Sequence, residues 1–171
     1  MNAGKCRNAA MLALLISGAV SAQSHTVFLV RHAEKATEPV SDPPLSAAGM
    51  QRADTLAHLL ANAKPVAIYT SQYQRTQLTA KPLVDAVGIA ITVVPIDKAT
   101  ATEYPQQLRE QICAQAPDSN AVIIGHSNTI PAIATAWTGH SVRPIADDEY
   151  NRILMLKLKE CIVVESLDLR Y

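Results

Sequence analysis

The residues of this chain that could do chemistry lie just past the ends of three short apolar runs. Each run is followed within a few residues by an arginine, a histidine or both; these are Arg31, His32, Arg75 and His126. Ligands of open α/β sheets bind outside the carboxyl ends of the strands, so parallel neighbouring strands would gather these side chains in one crevice. Guanidinium groups bind phosphoryl oxygens bidentately, and imidazole attacks phosphorus or donates a proton. The set therefore predicts a phosphoryl-binding site.

The elements that must position these side chains follow from the hydrophobic pattern. The runs 26–30, 66–69 and 121–124 are apolar throughout, as is typical of strands covered on both faces. Their alternation with helical patterns predicts an α/β fold, a three-layer sandwich with a largely parallel central sheet. The last two runs, 152–158 and 161–169, flank a tight connection and cannot both be parallel. The sheet is therefore expected to have a mixed edge.

Helix signals lie between these strands. Ser46 is the expected N-cap of the first helix. The second helix is expected to run from about Ser71 to Val87, with Ser71 as its cap and Arg75 in its first turn, facing the strand end. A further strand is expected at 91–94, and further helices at 106–115 and 129–138.

The start of the chain has the features of a targeting segment. Lys5 and Arg7 precede an apolar stretch that ends in the small residues of segment 20–22, which is the order found in a secretory signal. The stretch is too short for a comfortable membrane span, which takes ~20 apolar residues. We expect a signal peptide at 1–22 and a single catalytic domain at 23–171, periplasmic or secreted and without a stable membrane span in its mature form.

Charge and motif spacing exclude several classes of partner. Two of the 15 basic residues and none of the 15 acidic residues precede residue 23, so the remainder carries a net charge of −2. A chain without a basic surplus is not expected to bind nucleic acid. No Cys-x-x-Cys, His-Glu-x-x-His or His-x-His spacing is present, so the sequence predicts neither a metal nor a cofactor.

Two cysteines follow residue 23, and the sequence leaves their state open. In an exported protein the pair Cys113 and Cys161 permits a disulfide. Two separately buried thiols are the alternative, because the sequence does not fix the distance between them.

Three segments of the chain resemble those of a known family. Segment 29–35 (LVRHAEK) resembles the signature of the histidine phosphatase superfamily, whose motif is Arg-His-Gly, with Ala33 in place of the glycine. The segment from Ser71 to Thr76 and the pair at 125–126 resemble the second and third conserved segments of that superfamily. The segments span residues 26 to about 131, and the resemblance implies the fold shared with phosphoglycerate mutases.

The resemblance also implies a mechanism. His32 would be the nucleophile that becomes a phosphohistidine, while Arg31, Arg75 and His126 would hold the phosphoryl oxygens. This predicts a metal-independent phosphatase that acts on a phosphomonoester or a phosphohistidine, its partner being a small phosphorylated substrate or a phosphohistidine protein. A phosphoglycerate mutase-type phosphotransferase and a non-catalytic phosphate-binding module are the alternatives.

The proton donor is not fixed by the sequence. Ser127 stands where one branch of the superfamily has an aspartate acid. Smaller members place a glutamate after the third strand, and Glu103 is the nearest candidate here for a catalytic acid. Asp148 and Glu149, or no carboxylate at all, are the alternatives. Asn128, at the expected start of a helix beside the site, is a candidate phosphate-binding residue.

A serine hydrolase is the rival class of enzyme. A strand, Gly-His-Ser and a helix could place Ser127 as a nucleophile, but the Gly-x-Ser-x-Gly pattern fails at Thr129. The order serine, acid, histidine is also missing downstream, since His140 precedes every later acidic residue. Both observations argue against this class.

Overall fold

The computed structural model describes residues 24–171, so the predicted signal peptide lies outside the described residues. The strands are β1 (Ser24–Arg31), β2 (Ala67–Thr70), β3 (Ile91–Val93), β4 (Ser119–Gly125), β5 (Arg152–Lys159) and β6 (Ile162–Arg170). The helices are α1 (Ala47–Ala61), α2 (Gln74–Val87), α3 (Tyr104–Cys113) and α4 (Thr129–Thr138). None of these helices is long and apolar enough to cross a membrane.

The six strands form one sheet in the order β3-β2-β4-β1-β5-β6. The first four strands of that order are mutually parallel, β5 runs antiparallel to β1, and β6 runs antiparallel to β5. The register pairs Arg31 with Gly125 and Thr70 with Ile124, so β1, β4 and β2 end at the same edge. The largely parallel sheet with a mixed edge is confirmed.

Helices cover both faces of the parallel part. On one face, α1 and α2 pack through Leu56 and Leu83 against Ile68 and Val122. On the other face, α3 and α4 bury a larger cluster; its helix side chains include Leu108, Ile112, Ile133 and Trp137. Because the strands are buried from both sides, their sequences are continuously apolar rather than alternating. The predicted three-layer α/β sandwich is confirmed.

The structure corrects two predicted helix starts. Ser46 caps α1 as expected, accepting a hydrogen bond from the Gly49 N–H at 3.1 Å. Ser71 does not cap α2: the capping position is Tyr73, and the Ser71 hydroxyl is hydrogen bonded elsewhere. Helix α3 begins at Tyr104, before the predicted start, because Pro105 lies in its first turn, where proline's missing N–H costs no hydrogen bond.

The C-terminal hairpin is tied to the helical layer by a disulfide. A two-residue turn joins β5 to β6, and both of its residues, Glu160 and Cys161, have positive φ. Cys161 forms a disulfide with Cys113 at the end of α3, with a Cα–Cα distance of 5.9 Å. Arg109 also donates hydrogen bonds to the Cys161 carbonyl. Of the two alternatives left open by the sequence, the structure shows the bridge.

Candidate active site

The four residues selected from the sequence meet in one cleft at the carboxyl edge of the sheet. Arg31, His32, Arg75 and His126 all line a cleft of about 410 Å³. The two imidazole ring centroids are 5.4 Å apart, with ring planes inclined by 67°. Adjacent parallel strands end at the same level, which explains how residues separated by almost a hundred positions come into contact.

The hydrogen bonds of His32 leave one ring nitrogen free to react. Its Nδ1 lies 2.8 Å from the Ala33 carbonyl oxygen. Because a carbonyl only accepts, Nδ1 carries the proton and Nε2 of the neutral ring keeps its lone pair. The backbone N–H of His32 donates to the Gly125 carbonyl at 2.9 Å, which fixes the residue to the end of β4.

The His32 ring is neutral over a wide pH range. The side chain is buried, and this burial lowers the pKa of His32 to about 4. The hydrogen bond to the Ala33 carbonyl opposes this shift, whereas the nearby cationic side chains of Arg75, Arg31 and Lys35 add to it. A neutral imidazole with a free lone pair is the form that attacks an electrophile.

Thr79 connects the His32 segment to the Arg75 segment. The buried Thr79 hydroxyl accepts a hydrogen bond from the Ala33 N–H at 2.9 Å and donates one to the Arg75 carbonyl at 2.7 Å. The Ala33 peptide therefore contacts both the His32 ring and α2. Sequence reasoning missed Thr79, although its position four residues after Arg75 on a predicted helix is a signal that it shares the same face.

Arg31 is held by backbone carbonyls rather than by a carboxylate. Its Nη1 donates to the carbonyls of Ala146, Asp147 and Glu149 at 2.7, 3.0 and 3.1 Å. The Tyr150 ring lies against the guanidinium, 4.1 Å from ring centroid to Cζ. Nε is buried and has no hydrogen-bond partner among the described residues. The guanidinium is thus fixed in place by neutral carbonyl groups.

His126 is oriented by Ser71 and Arg75. Its Nε2 lies 2.9 Å from the Ser71 hydroxyl, and its Nδ1 lies 3.4 Å from Nη2 of Arg75. Since arginine only donates, Nδ1 accepts, and Nε2–H donates to Ser71. Burial, assisted by the charge of Arg75, lowers the pKa of His126 to about 3. The Ser71 hydroxyl therefore orients the His126 ring and does not cap α2.

Glu103 and Glu149, two of the carboxylates that the sequence offered as proton donors, do not line the cleft. Glu103 is exposed at the start of α3 and is not among the described residues that line the cleft. The Glu149 carboxylate is bound to Arg143 and Arg170, and the hydrogen bonds from Arg143 lower its pKa. Asp147, which sequence reasoning missed, lines the cleft. No local pattern marks Asp147, because the loop reaches the site only through contacts made after folding.

A second, smaller cavity adjoins the cleft. It has a volume of about 310 Å³ and shares four residues with the cleft, namely Tyr73, Arg75, His126 and Asn128. Asn128, the candidate phosphate-binding residue, thus faces both spaces. Ser127 lines the cleft, but among the described residues the hydrogen-bond partners of the His126 ring are Ser71 and Arg75, not Ser127. Within residues 24–171, no group of three or more His, Cys, Asp or Glu side chains is arranged to bind a metal ion.

One family model matches part of this chain. The model of the histidine phosphatase superfamily (branch 1) matches residues 27–96, which contain Arg31, His32 and Arg75. Over these residues the chain is similar to the histidine phosphatase superfamily, and the sandwich fold and the two facing histidines agree with that similarity.

One curated relative is a probable phosphoglycerate mutase, GpmB, of Yersinia enterocolitica. The two sequences are 37% identical over 75 residues, which is 40% of this chain and 35% of the relative. The match therefore spans about a third of the length of that protein.

Solved structures share the fold at low identity. The protein histidine phosphatase SixA bound to tungstate superposes with a TM-score of 0.64 at 14% identity, covering 85% of this chain and 96% of SixA. A putative phosphohistidine phosphatase SixA from Agrobacterium tumefaciens gives 0.60 at 24% identity, covering 83% and 96%. A mycobacterial glucosyl-3-phosphoglycerate phosphatase gives 0.63 at 16% identity, covering 79% and 91%. These similarities show the fold.

Proposed function

We propose that this protein is a metal-independent phosphatase that hydrolyses a phosphomonoester or a phosphohistidine through a phosphohistidine intermediate on His32. The observation that carries the proposal is the 2.8 Å hydrogen bond from Nδ1 of His32 to the Ala33 carbonyl. It fixes the tautomer in which Nε2 is the nucleophile, and it does so in a cleft that also holds two arginines.

In the first step, the Nε2 lone pair of His32 attacks phosphorus while the bond from phosphorus to the leaving group breaks. The electron pair of that bond stays with the leaving group, which takes up a proton. In the second step, water attacks the phosphohistidine, the P–N bond breaks, and its electron pair returns to Nε2. Water loses its proton to the group that acted as acid in the first step, so this group and His32 both return to their starting protonation states.

Arg31 and Arg75 supply the positive charge for the phosphoryl oxygens. Among residues 24–171, Arg31 has no carboxylate partner and its buried Nε–H has no hydrogen-bond partner, and Nη1 of Arg75 lies 3.7 Å from Oδ1 of the partly exposed Asp42. Both guanidinium groups therefore retain charge and donors for an incoming anion. Such preorganised groups usually make the largest single contribution to the rate.

We assign the proton transfer to Asp147, because it is the carboxylate of the loop at 146–149 that lines the cleft. Asp147→Asn should lower kcat by about 10²-fold for an alkyl phosphate, and by much less for p-nitrophenyl phosphate, whose leaving group needs no proton. Glu103→Gln is the matched control. Equal losses for both substrates would contradict the assignment.

Trapping the intermediate tests the proposal directly. The purified protein, incubated with a phosphorylated substrate and quenched in alkali, should carry an acid-labile phosphoryl group on His32, and His32→Ala should lower turnover at least about 10³-fold. Ser127→Ala, a substitution in the same cleft, should retain most activity. Survival of His32→Ala together with loss of activity in Ser127→Ala would support a serine hydrolase instead.

A mutase-type phosphotransferase is the second candidate, favoured by the similarity to the probable mutase GpmB. The loop between β3 and α3 is only ten residues long, 94–103, which leaves little chain to enclose a bisphosphorylated sugar acid. We therefore expect 3-phosphoglycerate to yield phosphate rather than an isomer. Isomer formation without phosphate release would identify a mutase, and binding without either product would identify a phosphate-binding module.

We further propose that the protein is exported to the periplasm or secreted. The order of residues at 1–22 supports this, and so does the Cys113–Cys161 disulfide, since such bonds persist in oxidising compartments. Mass spectrometry of the protein expressed from its full-length gene should find Gln23 at the N-terminus. A retained residue 1 would contradict export by a cleaved signal.

A further inference from the structure

Tyr73 lies between the cleft and the second cavity and lines both. Its ring centroid is 4.4 Å from Cζ of Arg75, and it meets the His126 ring edge-on at 5.4 Å and 85°. The side chain is half-buried, so part of the ring contacts the two residues while part faces open space. A phosphoryl group bound at Arg75 and His126 would have this ring beside it.

The second cavity extends away from His32 along an apolar wall. Ile96 and Ala101 line it together with Tyr73. Gln72 fixes this wall, since its Nε2 donates to the Ile96 carbonyl at 2.8 Å and its Oε1 accepts from the Ile96 N–H at 3.0 Å. The Asp97 carboxylate, which also lines the cavity, accepts hydrogen bonds from Ala99 and Thr100 in its own loop. The wall beside Tyr73 is therefore apolar and held in place.

We propose that Tyr73 is a specificity-determining residue that selects substrates whose leaving group is a planar ring, seated in the second cavity against Tyr73 and Ile96. The inference rests on the proposed phosphatase function and names its substrate class. A ring stacks on tyrosine or meets it edge-on more favourably than an alkyl chain of similar size does. A phenol or the imidazole of a phosphohistidine presents the same planar surface.

Tyr150 provides a matched control. Its ring lies 4.1 Å from Cζ of Arg31 and 6.2 Å from the His32 ring, so it supports one arginine and one histidine as Tyr73 does. Unlike Tyr73, it is not among the described residues that line either cavity. A substitution at Tyr150 therefore disturbs the charged residues without changing the wall that a leaving group would touch.

The test compares kcat/KM for phenyl phosphate and butyl phosphate in four proteins: wild type, Tyr73→Leu, Tyr73→Phe and Tyr150→Leu. The ratio of the two values cancels any general damage to the site. Tyr73→Leu should lower the phenyl-to-butyl ratio about three- to tenfold, the range expected for an aromatic pair. Tyr73→Phe, which keeps the ring, should preserve the ratio. Tyr150→Leu should lower both values by one common factor.

If Tyr73→Leu lowers both values equally, Tyr73 only positions Arg75 and His126, and the inference is wrong. Phenyl phosphate hydrolysis that persists in His32→Ala would instead overturn the proposed function. Phosphoimidazole, assayed in parallel with phosphoramidate, distinguishes the two kinds of ring. If the protein prefers phosphoimidazole and this preference depends on Tyr73, the natural leaving group is an imidazole. If that preference is missing while the preference for phenyl phosphate remains, the leaving group is a phenol.

Discussion

Arg31 and Arg152 are both almost fully buried, yet their partners differ. Arg31, at 6% exposure, ends a parallel strand and donates to carbonyls, which are neutral. Arg152, at 3% exposure, begins the antiparallel strand β5 and forms a bidentate pair with the Asp168 carboxylate of β6. An arginine with neutral partners keeps an uncompensated charge that can bind an anion. An arginine paired with a carboxylate has its charge neutralised by that partner.

The same contrast separates the two parts of the sheet. The parallel part ends in buried, neutral histidines and in two arginines, of which Arg31 has only neutral partners among the described residues and Arg75 lies 3.7 Å (Nη1 to Oδ1) from the Asp42 carboxylate. The antiparallel part carries a network in which Glu149 and Asp168 each bind two arginines, and a disulfide fixes its turn. We infer that the parallel part carries the chemistry and that the antiparallel part contributes mainly stability, apart from the 146–149 loop that holds Arg31.

Removal of the disulfide should have the largest effect on stability and little effect on turnover. Replacing both Cys113 and Cys161 by serine frees a segment of 48 residues in the unfolded chain and should lower the free energy of unfolding by about 4 kcal/mol. Urea denaturation measures this loss, with kcat measured at a temperature where the variant is folded. A large fall in kcat there would contradict the division between the two parts.

Substitution of the arginines should give opposite results in the two parts. Arg75→Met should lower kcat/KM by about 10²–10³-fold with little loss of stability, since it removes charge from the phosphoryl site. Arg152→Met should destabilise the fold by about 1–3 kcal/mol, because it removes the hydrogen bonds to Asp168, while retaining most activity. Similar effects of both variants on activity would show that the comparison is wrong.

The two neutral histidines should make stability fall in acid. Their folded-state pKa values, about 4 for His32 and about 3 for His126, lie below the ordinary value of 6.5. Between pH 6.5 and pH 4 the unfolded chain therefore binds protons that the folded protein does not, so stability is full above pH 6.5 and falls below it. Each histidine should contribute a loss on the order of 2–3 kcal/mol by pH 4.

Denaturation as a function of pH measures this loss. The double variant His32→Asn/His126→Asn should show a shallower decline than wild type, with His58→Asn as the exposed-histidine control. An unchanged slope in the double variant would mean that other groups cause the acid sensitivity.

The hydroxyl of Thr79 should have the smallest effect. Thr79→Val leaves the Ala33 N–H without its acceptor and releases the link to Arg75, so the rate of phosphoenzyme formation should fall about tenfold, with KM less affected. Thr79→Ser should restore most of the rate, because the hydroxyl returns. Rapid-quench kinetics measure the phosphoenzyme step. A wild-type rate in Thr79→Val, which keeps the methyl group and loses only the hydroxyl, would show that these hydrogen bonds do not support the phosphoenzyme step.

The sequence predicted the parts of this protein that depend on local pattern. Continuous apolar runs marked the strands, Ser46 marked the start of α1, and the helical pattern at 129–138 marked α4; these agree with the structure. The start of α2 was misplaced because Ser71 has the side chain of a capping residue but uses it on His126. Glu103 was selected for its nearness in sequence to the third strand, and the fold places it outside the lining of the cleft.

The sequence by itself determined that Arg31, His32, Arg75 and His126 lie at strand ends or shortly after them, since strand periodicity and residue spacing are local properties of the chain. Only the tertiary structure decided the proton position on His32, the presence of Asp147 in the cleft and the pairing of Cys113 with Cys161. Each of these depends on distances and desolvation created between folded segments. Such distances are set by how the sheet and helices pack together, which no short stretch of sequence specifies.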